Sequence, residues 1–396
     1  MANITKRGDS YTIRVCCGRD VNKKQIFQSM TYKPDKNLTG KRLEKELQKQ
    51  AALFEEKVKS GKVGNGGNIR LVDFVPQYLE NVSNSLAVTT VDEYKRVLKT
   101  TIVPSLGHLK LKDIRPTHIQ KFINNLTSGE YRLDGKNKGY APASVKRYYA
   151  VLSSVISNAY QLGMISENPC DSGKIKLPRI EQETQIYDEE KLSQMLSCLD
   201  DEPFMWQLYV HLAVNTGCRR SELSALRWSS IDFENGQIMV SKSLYKLKGQ
   251  PTAEKDTKTH QTRPVSIPDY CIQLLKAYQS EQAKQRLRLG TAWEGSDFIF
   301  TQWNGLPICP TTPTGWWSDF LKKHDLPHIK LHALRHTSAT LQLNSGTDIK
   351  TVSSRLGHRE ISTTNRYVHS VTSAERVAAD KLGDTILNLS KKAKQG

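Results

Sequence analysis

Apolar positions recur along this chain with different periods, and each change of period marks an element. Near the start Tyr11, Ile13 and Val15 alternate with Thr12, Arg14 and Cys16, the two-residue period of a half-buried strand. Residues 18–22 read as a turn and 24–32 as a second strand. Leu43, Leu47, Ala51, Phe54 and Val58 then recur at helical spacing, which predicts an amphipathic helix with a Lys- and Arg-rich polar face. The helical period continues over 71–82, 88–102, 117–126 and 143–162. Pro116 and Pro142 stand at the starts of the third and fourth of these, where a missing N–H costs nothing. Short connections imply a compact four-helix unit.

Beyond residue 181 the pattern is mixed. Met205, Leu208, Tyr209, Leu212 and Ala213 make a helical face that ends near Gly217, and 222–228 reads as further helix. Strand patterns at 237–244 and 263–267 flank a polar, Lys-rich middle. Helical periods return at 313–324, 332–344 and 349–356, and a tail at 373–390 places Val377, Ala378, Leu382, Ile386 and Leu389 on one face. Two connectors interrupt the chain. Residues 61–68 hold four glycines, and 167–184 hold two prolines and few apolar residues. The expected domains are therefore 1–66, 67–180 and 181–396. The fold class is multidomain α+β: a small sheet-plus-helix domain, a helical domain, and a mainly α domain with some strand.

Composition narrows the function. With 37% hydrophobic and 25% charged residues, the 396-residue chain is too apolar for wholesale disorder. No run of 18 apolar residues exists and the N-terminus has no apolar signal core, so a cytoplasmic location is expected. The seven cysteines form no CxxC pair, which argues against a disulfide framework or zinc ribbon. The net charge of +18 points to a polyanion, above all nucleic acid. It is unevenly spread: 15 Lys and Arg face 7 Asp and Glu in 1–66, 16 face 9 in 67–180, but 27 face 24 in 181–396.

Four motifs in the last segment suggest the chemistry. TGCRRSELSALRW places Arg219 just past a glycine and Glu222 three residues on. TKTHQTR carries Lys258. HALRH puts His332 and Arg335 three apart. LGHREISTTNRYVH carries His358 and, nine residues later, Tyr367. Cutting a phosphodiester without a metal needs positive charge on the non-bridging oxygens, and Arg219 and Arg335 can supply it bidentately. It needs a nucleophile. A tyrosine hydroxyl has a pKa of about 10, so Tyr367 would rely on guanidinium charge and on a proton acceptor among His332, His358 and His369. It also needs a donor to the leaving oxygen, for which Lys258 on a hairpin is placed. A phosphotyrosine would conserve the bond energy, so no cofactor or metal is called for.

Each residue also has a plainer reading. Arg219 and Glu222 could be a helix ion pair. His332 and His336 have zinc-helix spacing, but Ala333 stands where a metalloprotease carries its glutamate. Tyr367 could be a half-buried aromatic, and Cys218 a small core side chain. His260 and Arg263 could meet DNA. Trp316 and Trp317 suit either the core or base stacking. The order and spacing of all the motifs together favour the catalytic reading.

That joint pattern resembles the tyrosine recombinase (phage integrase) family, whose signature is Arg, Lys, His-x-x-Arg, a second His or Trp, and Tyr. Arg219, Lys258, His332, Arg335, His358 and Tyr367 stand at the matching places, specifically over 210–370 and more generally over 67–180. The resemblance implies an arm-type DNA-binding domain in 1–66, a core-binding SAM-like domain in 67–180 and a catalytic domain in 181–396. Tyr367 would form a 3′-phosphotyrosine, and strand exchange would pass through a Holliday junction in a synaptic tetramer on double-stranded DNA. Glu222 would position Arg219, and the tail helix would pack on a neighbouring protomer or fold back in cis. An excisionase and a host DNA-bending protein are implied partners. A type IB topoisomerase, which shares the catalytic logic, and a non-catalytic DNA-binding regulator are the alternatives.

Overall fold

The computed structural model describes the chain except for residues 1, 20–24, 36, 60–67, 130–137, 172, 174, 181–185, 258–261, 296, 359, 361 and 365–396. It divides into two compact units, Met1–Glu181 and Gln182–Gly396.

The first unit opens with an antiparallel sheet of β1 (Asn3–Arg7), β2 (Ser10–Arg19) and β3 (Gln25–Tyr32), in that order. Ile13 lies opposite Ile4 and Met30. The two-residue period puts Ile13 and Val15 on one face, where they bury against Ala51 and Phe54 of α1 (Gly40–Lys59). Four helical stretches follow: α2 (Leu71–Ser83), α3 (Val88–Val97) running on into α4 (Val103–Leu106), α5 (Pro116–Ser128) and α6 (Pro142–Gln161). They share a core of Leu71, Phe74, Tyr78, Leu98, Ile102, Phe122, Leu152 and Ile156. Between α3 and α4 one turn, Leu98–Ile102, is π-helical, with the Val103 N–H reaching Leu98 O. Pro104 explains it: a proline has no N–H to return to the preceding turn, and its ring crowds the carbonyl four residues back.

The second unit contains α7 (Glu189–Cys198), α8 (Phe204–Thr216) and α9 (Arg220–Leu223). Then come β4 (Ile231–Asp232), β5 (Gln237–Val240), β6 (Lys242–Lys246), β7 (Thr252–Asp256) and β8 (Arg263–Ser266). Helices α10 (Asp269–Leu289), α11 (Thr312–Lys323), α12 (Ala333–Asn344) and α13 (Ile349–Leu356) complete it. Strands β4, β5 and β8 form one antiparallel sheet, and β6 and β7 a separate hairpin. A single large core joins Leu208, Tyr209 and Leu212 of α8 to Ile238, Val265, Leu275, Phe300, Trp317, Phe320 and Leu334.

The multidomain α+β class is as the sequence indicates, with local corrections. The strand expected over 237–244 is two strands in two sheets, because the chain leaves the β4–β5–β8 sheet after Val240. The helix expected over 222–228 stops at Leu223. Leu226 instead gives its carbonyl to the Ile299 N–H, and Arg227 bridges to Phe298. Strand β1 and helices α7 and α10 carried too weak a pattern to be anticipated; in α10 charged residues such as Lys276 and Glu281 interleave with the buried positions, and none is buried after Gln282. Trp317 is core, donating Nε1–H to Ile329 O at 2.8 Å, and Trp316 stacks on Trp206 with centroids 4.5 Å apart, so neither is a base-stacking platform. The expected tail helix over 373–390 lies outside the described residues. Among the described residues no helix is long and apolar enough to cross a membrane.

Trp317→Phe keeps most of the buried ring but strands the Ile329 carbonyl. It should cost about 1–3 kcal/mol, read as a lower urea midpoint in equilibrium unfolding.

Candidate active site

The site grows from the end of α8. Gly217 closes that helix in the left-handed region, φ +60. A Cβ there would also fall 2.4 Å from Leu356 Cδ2, so both backbone and packing demand glycine. The chain turns, the Cys218 N–H donates to Thr216 Oγ1 at 3.1 Å, and Arg219 starts the short α9. Glu222, three residues on, reaches back: its Oε2 accepts the Arg219 backbone N–H at 3.0 Å and its Oε1 accepts Arg219 Nη1 at 2.7 Å. The spacing of three is thus what lets the carboxylate hold both the backbone and the side chain of Arg219.

Glu222 is only 1% exposed and has a second arginine. Arg263, at the start of β8 and 7% exposed, donates Nη2–H to Glu222 Oε2 at 2.7 Å and Nε–H to Arg355 O at 3.0 Å. Burial alone would push the Glu222 pKa up, but Arg263 and then Arg219 outweigh it and hold the carboxyl below its usual range. Among the described residues Nη1 of Arg263 is buried without a hydrogen-bond partner. Cys218 Sγ lies 3.7 Å from the same guanidinium, and burial raises its pKa, so it is a neutral thiol.

The other half of the site comes from α12 and α13. Arg335, 3% exposed, donates Nη1–H to Gly217 O at 2.6 Å, which ties α12 to the α8 turn. His332 immediately precedes α12 and keeps an exposed edge. The packing around its ring, and then the charges of Arg335, Arg219 and Arg220, lower its pKa, with Glu222 opposing. His332 is therefore neutral at pH 7 and able to accept a proton. Its ring meets His336 edge-on at 5.1 Å. Among the described residues no cluster of three His, Cys, Asp or Glu side chains could hold a metal. Helix α13 ends at Gly357, φ +68, whose carbonyl accepts Arg219 Nη2–H at 3.3 Å. His358 follows, half-buried, with Nδ1 2.8 Å from the Oγ1 of buried Thr364.

The structure thus brings Arg219, Glu222, His332, Arg335 and His358 around the Gly217 and Gly357 turns. Lys258 and Tyr367, with His260 and His369, lie outside the described residues. Arg263, which the sequence offered as a DNA contact, is instead buried in the ion-pair cluster. One signal could have found this role: along β8 the two-residue period puts Arg263 on the same face as buried Val265 and Ile267. An arginine on an inward face calls for a buried carboxylate.

Known proteins match the segments that carry these residues. The profile of the phage integrase family matches residues 185–373, and that of the phage integrase N-terminal SAM-like domain matches residues 70–127. The chain belongs to the phage integrase family. This integrase-family protein is a tyrosine-type site-specific recombinase. It is 27% identical to a XerC-like tyrosine recombinase of Caldanaerobacter subterraneus over 97% of this chain and 99% of that one. It is 28% identical to the ICEBs1 integrase of Bacillus subtilis over 69% of this chain and 75% of the relative. In fold it is similar to the Tn1549 transposon integrase solved with a circular-intermediate DNA (TM-score 0.65, 18% identity, 79% of this chain and 99% of the other). It is also similar to a lambda integrase tetramer bound to a Holliday junction (TM-score 0.55, 17% identity, 92% and 94%).

Glu222→Gln removes the charge that two arginines share. Leaving Arg263 buried beside a neutral amide should cost about 3–5 kcal/mol at pH 7. Because the folded carboxyl has the lower pKa, its contribution is complete above the unfolded value of about 4.3 and is lost as pH falls through the folded one. The difference in urea stability between wild type and variant should therefore hold from pH 7 to about 5 and shrink only in stronger acid. A difference that already shrinks between pH 7 and 6 would contradict the assignment.

Proposed function

We propose that this recombinase integrates and excises a mobile DNA element through a 3′-phosphotyrosine intermediate and a Holliday junction. The observation that carries the reading is the pair of arginines at the Gly217 turn. Arg219 is held by Glu222, and Arg335 is held on the Gly217 carbonyl. Two guanidinium groups so restrained suit the two non-bridging oxygens of one phosphate and the charge that develops on them in the transition state. Restraint before the substrate arrives matters, because donors that need no reorganisation contribute most.

In this reading Tyr367 attacks the scissile phosphorus and the 5′-oxygen of the next nucleotide leaves. His332, neutral at pH 7, takes up the tyrosine proton or binds the phosphate, and shares these duties with His358. Lys258 donates a proton to the leaving oxygen. Attack by a 5′-hydroxyl on the phosphotyrosine reverses the bond change, so strands exchange and reseal without a nucleotide cofactor.

Residues 1–66 serve as an arm-type DNA-binding domain, 67–180 as a core-binding domain and 181–396 as the catalytic domain. The charge distribution supports this division, since 31 of the 58 Lys and Arg lie in the first 180 residues against only 16 of the 40 Asp and Glu. The partner is double-stranded DNA bearing core and arm sites, and the working form is a synaptic tetramer. The lambda integrase tetramer on a Holliday junction supports that assembly. An excisionase and a host DNA-bending protein would set direction. The enzyme acts in the cytoplasm, on the nucleoid.

Two tests follow. On a nicked suicide substrate, Tyr367→Phe should abolish the covalent protein–DNA complex and leave DNA affinity within about twofold. A covalent complex formed by the Phe variant would mean another nucleophile. Affinity for the element's end DNA should fall by about 10³-fold or more between 50 and 200 mM salt, as expected for six or more neutralised phosphates. A flat response in fluorescence anisotropy would argue against a DNA clamp.

A further inference from the structure

We propose that Arg263 is a positioning residue for strand cleavage, a buried side chain that holds the Arg219–Glu222 pair and the turn carrying His358 in one register. The inference rests on the reading above, in which Arg219 and His358 act at the scissile phosphate.

Three observations converge on it. The first is connectivity. From the start of β8, the Arg263 guanidinium donates Nη2–H to Glu222 Oε2 at 2.7 Å and Nε–H to Arg355 O at 3.0 Å. Glu222 in turn grips the backbone and side chain of Arg219, and Arg355 lies three residues before His358. One planar group therefore spans the α9 turn and the end of α13. A lysine has one nitrogen and cannot reproduce this fork.

The second is space. A Cβ on Gly357 would lie 2.8 Å from Arg263 Cζ and 2.8 Å from its Nη1. The guanidinium sits against the backbone of the residue just before His358. Gly357 is also the residue whose carbonyl accepts Arg219 Nη2–H at 3.3 Å. Arg219 and Arg263 thus hold the same short stretch of backbone from two elements.

The third is the place of Arg263 in the chain, two residues after the 258–261 segment that contains Lys258. Upstream, β7 is tied by Lys242 to Asp256 at 2.8 Å and by Arg227 to Glu254 at 2.9 Å. Downstream, Arg263 ties the chain to the site itself. Its burial, 7% exposed, rules out the direct DNA contact that its basic character suggests.

The test uses the full-length chain and a nicked suicide substrate carrying the element's end sequence. DNA affinity, the rate of covalent complex formation at saturating DNA, and the final covalent fraction are measured for wild type and Arg263→Lys. We expect affinity within about twofold, an unchanged final fraction, and a rate lower by about 100-fold, the scale of a misplaced catalytic group. A role in stability alone would lower the melting temperature and the final fraction while the rate stayed at the wild-type value. Glu222→Gln combined with Arg263→Lys should be no slower than the slower single variant, since both break one linkage. Should Arg263→Lys fail to fold, Arg263→Gln and Gly357→Ala, which crowds the guanidinium without replacing it, are read in the same assay. A wild-type rate in the folded variants, additive losses in the pair, or a loss confined to DNA affinity would overturn the inference. Tyr367→Phe, run alongside, separates the failures: a covalent complex in that variant refutes the site assignment, whereas wild-type cleavage by the Arg263 variants refutes only the positioning role.

Discussion

A buried carboxylate between two arginines is the constraint on which the catalytic unit is built. Glu222 is almost wholly shielded from water, where an unpaired charge is not tolerated. It is compensated by Arg219 on one side and Arg263 on the other, at 2.7 Å each. Each arginine then makes a further contact to the backbone near the end of α13, Arg219 to Gly357 O and Arg263 to Arg355 O. The result is a closed mechanical loop: α9, β8 and α13 cannot shift relative to one another without breaking an ion pair or a charged hydrogen bond. Arg355 reinforces it by donating Nη2–H to the carbonyls of Asn215 and Ser266, both at 3.1 Å.

Arginines serve here in two ways that composition does not distinguish. Arg219, part exposed, and Arg335, anchored on the Gly217 carbonyl, stand at the turn where the proposed chemistry is placed. Arg263 is committed to the Glu222 carboxylate and the Arg355 carbonyl, and Arg355 to the carbonyls of Asn215 and Ser266. This explains how a catalytic segment with a nearly balanced charge can still present a strong local positive field. A few guanidinium groups aimed by hydrogen bonds outweigh many solvated ones, because they are partly desolvated and already oriented. Together with the packing around its ring, which is the larger cause, the same charges hold the His332 pKa below its usual value. Bulk positive charge lies in the first 180 residues, where it suits long-range attraction of DNA rather than chemistry.

Glycine makes the cluster possible. At Gly217 and Gly357 the backbone takes a left-handed conformation, and in each case a Cβ would collide with a side chain of the cluster's other half: Leu356 in one, Arg263 in the other. The two turns are close-approach points, and their carbonyls become acceptors for Arg335 and Arg219. A glycine at the end of a helical period is readable as a helix stop. That it also receives an arginine from another element is not.

The amino-acid sequence by itself determined the element types wherever periodicity was strong, the α+β class, and the order of motifs that carries the family resemblance. It determined the Arg219–Glu222 pair in outline, because a spacing of three is local. It did not reveal α7, where only Leu192 and Met195 are buried, nor α10, where charged residues interleave with the buried positions, nor the break at Val240 that puts β5 and β6 into different sheets. Only the tertiary structure decided the fate of Arg263. A basic residue beside a Lys-rich segment looks like a DNA contact until the fold buries it against Glu222, forty-one positions away in the chain. The physical reason is general. Local period depends on a residue's near neighbours, whereas the partner of a buried charge is chosen by which distant elements the core brings together.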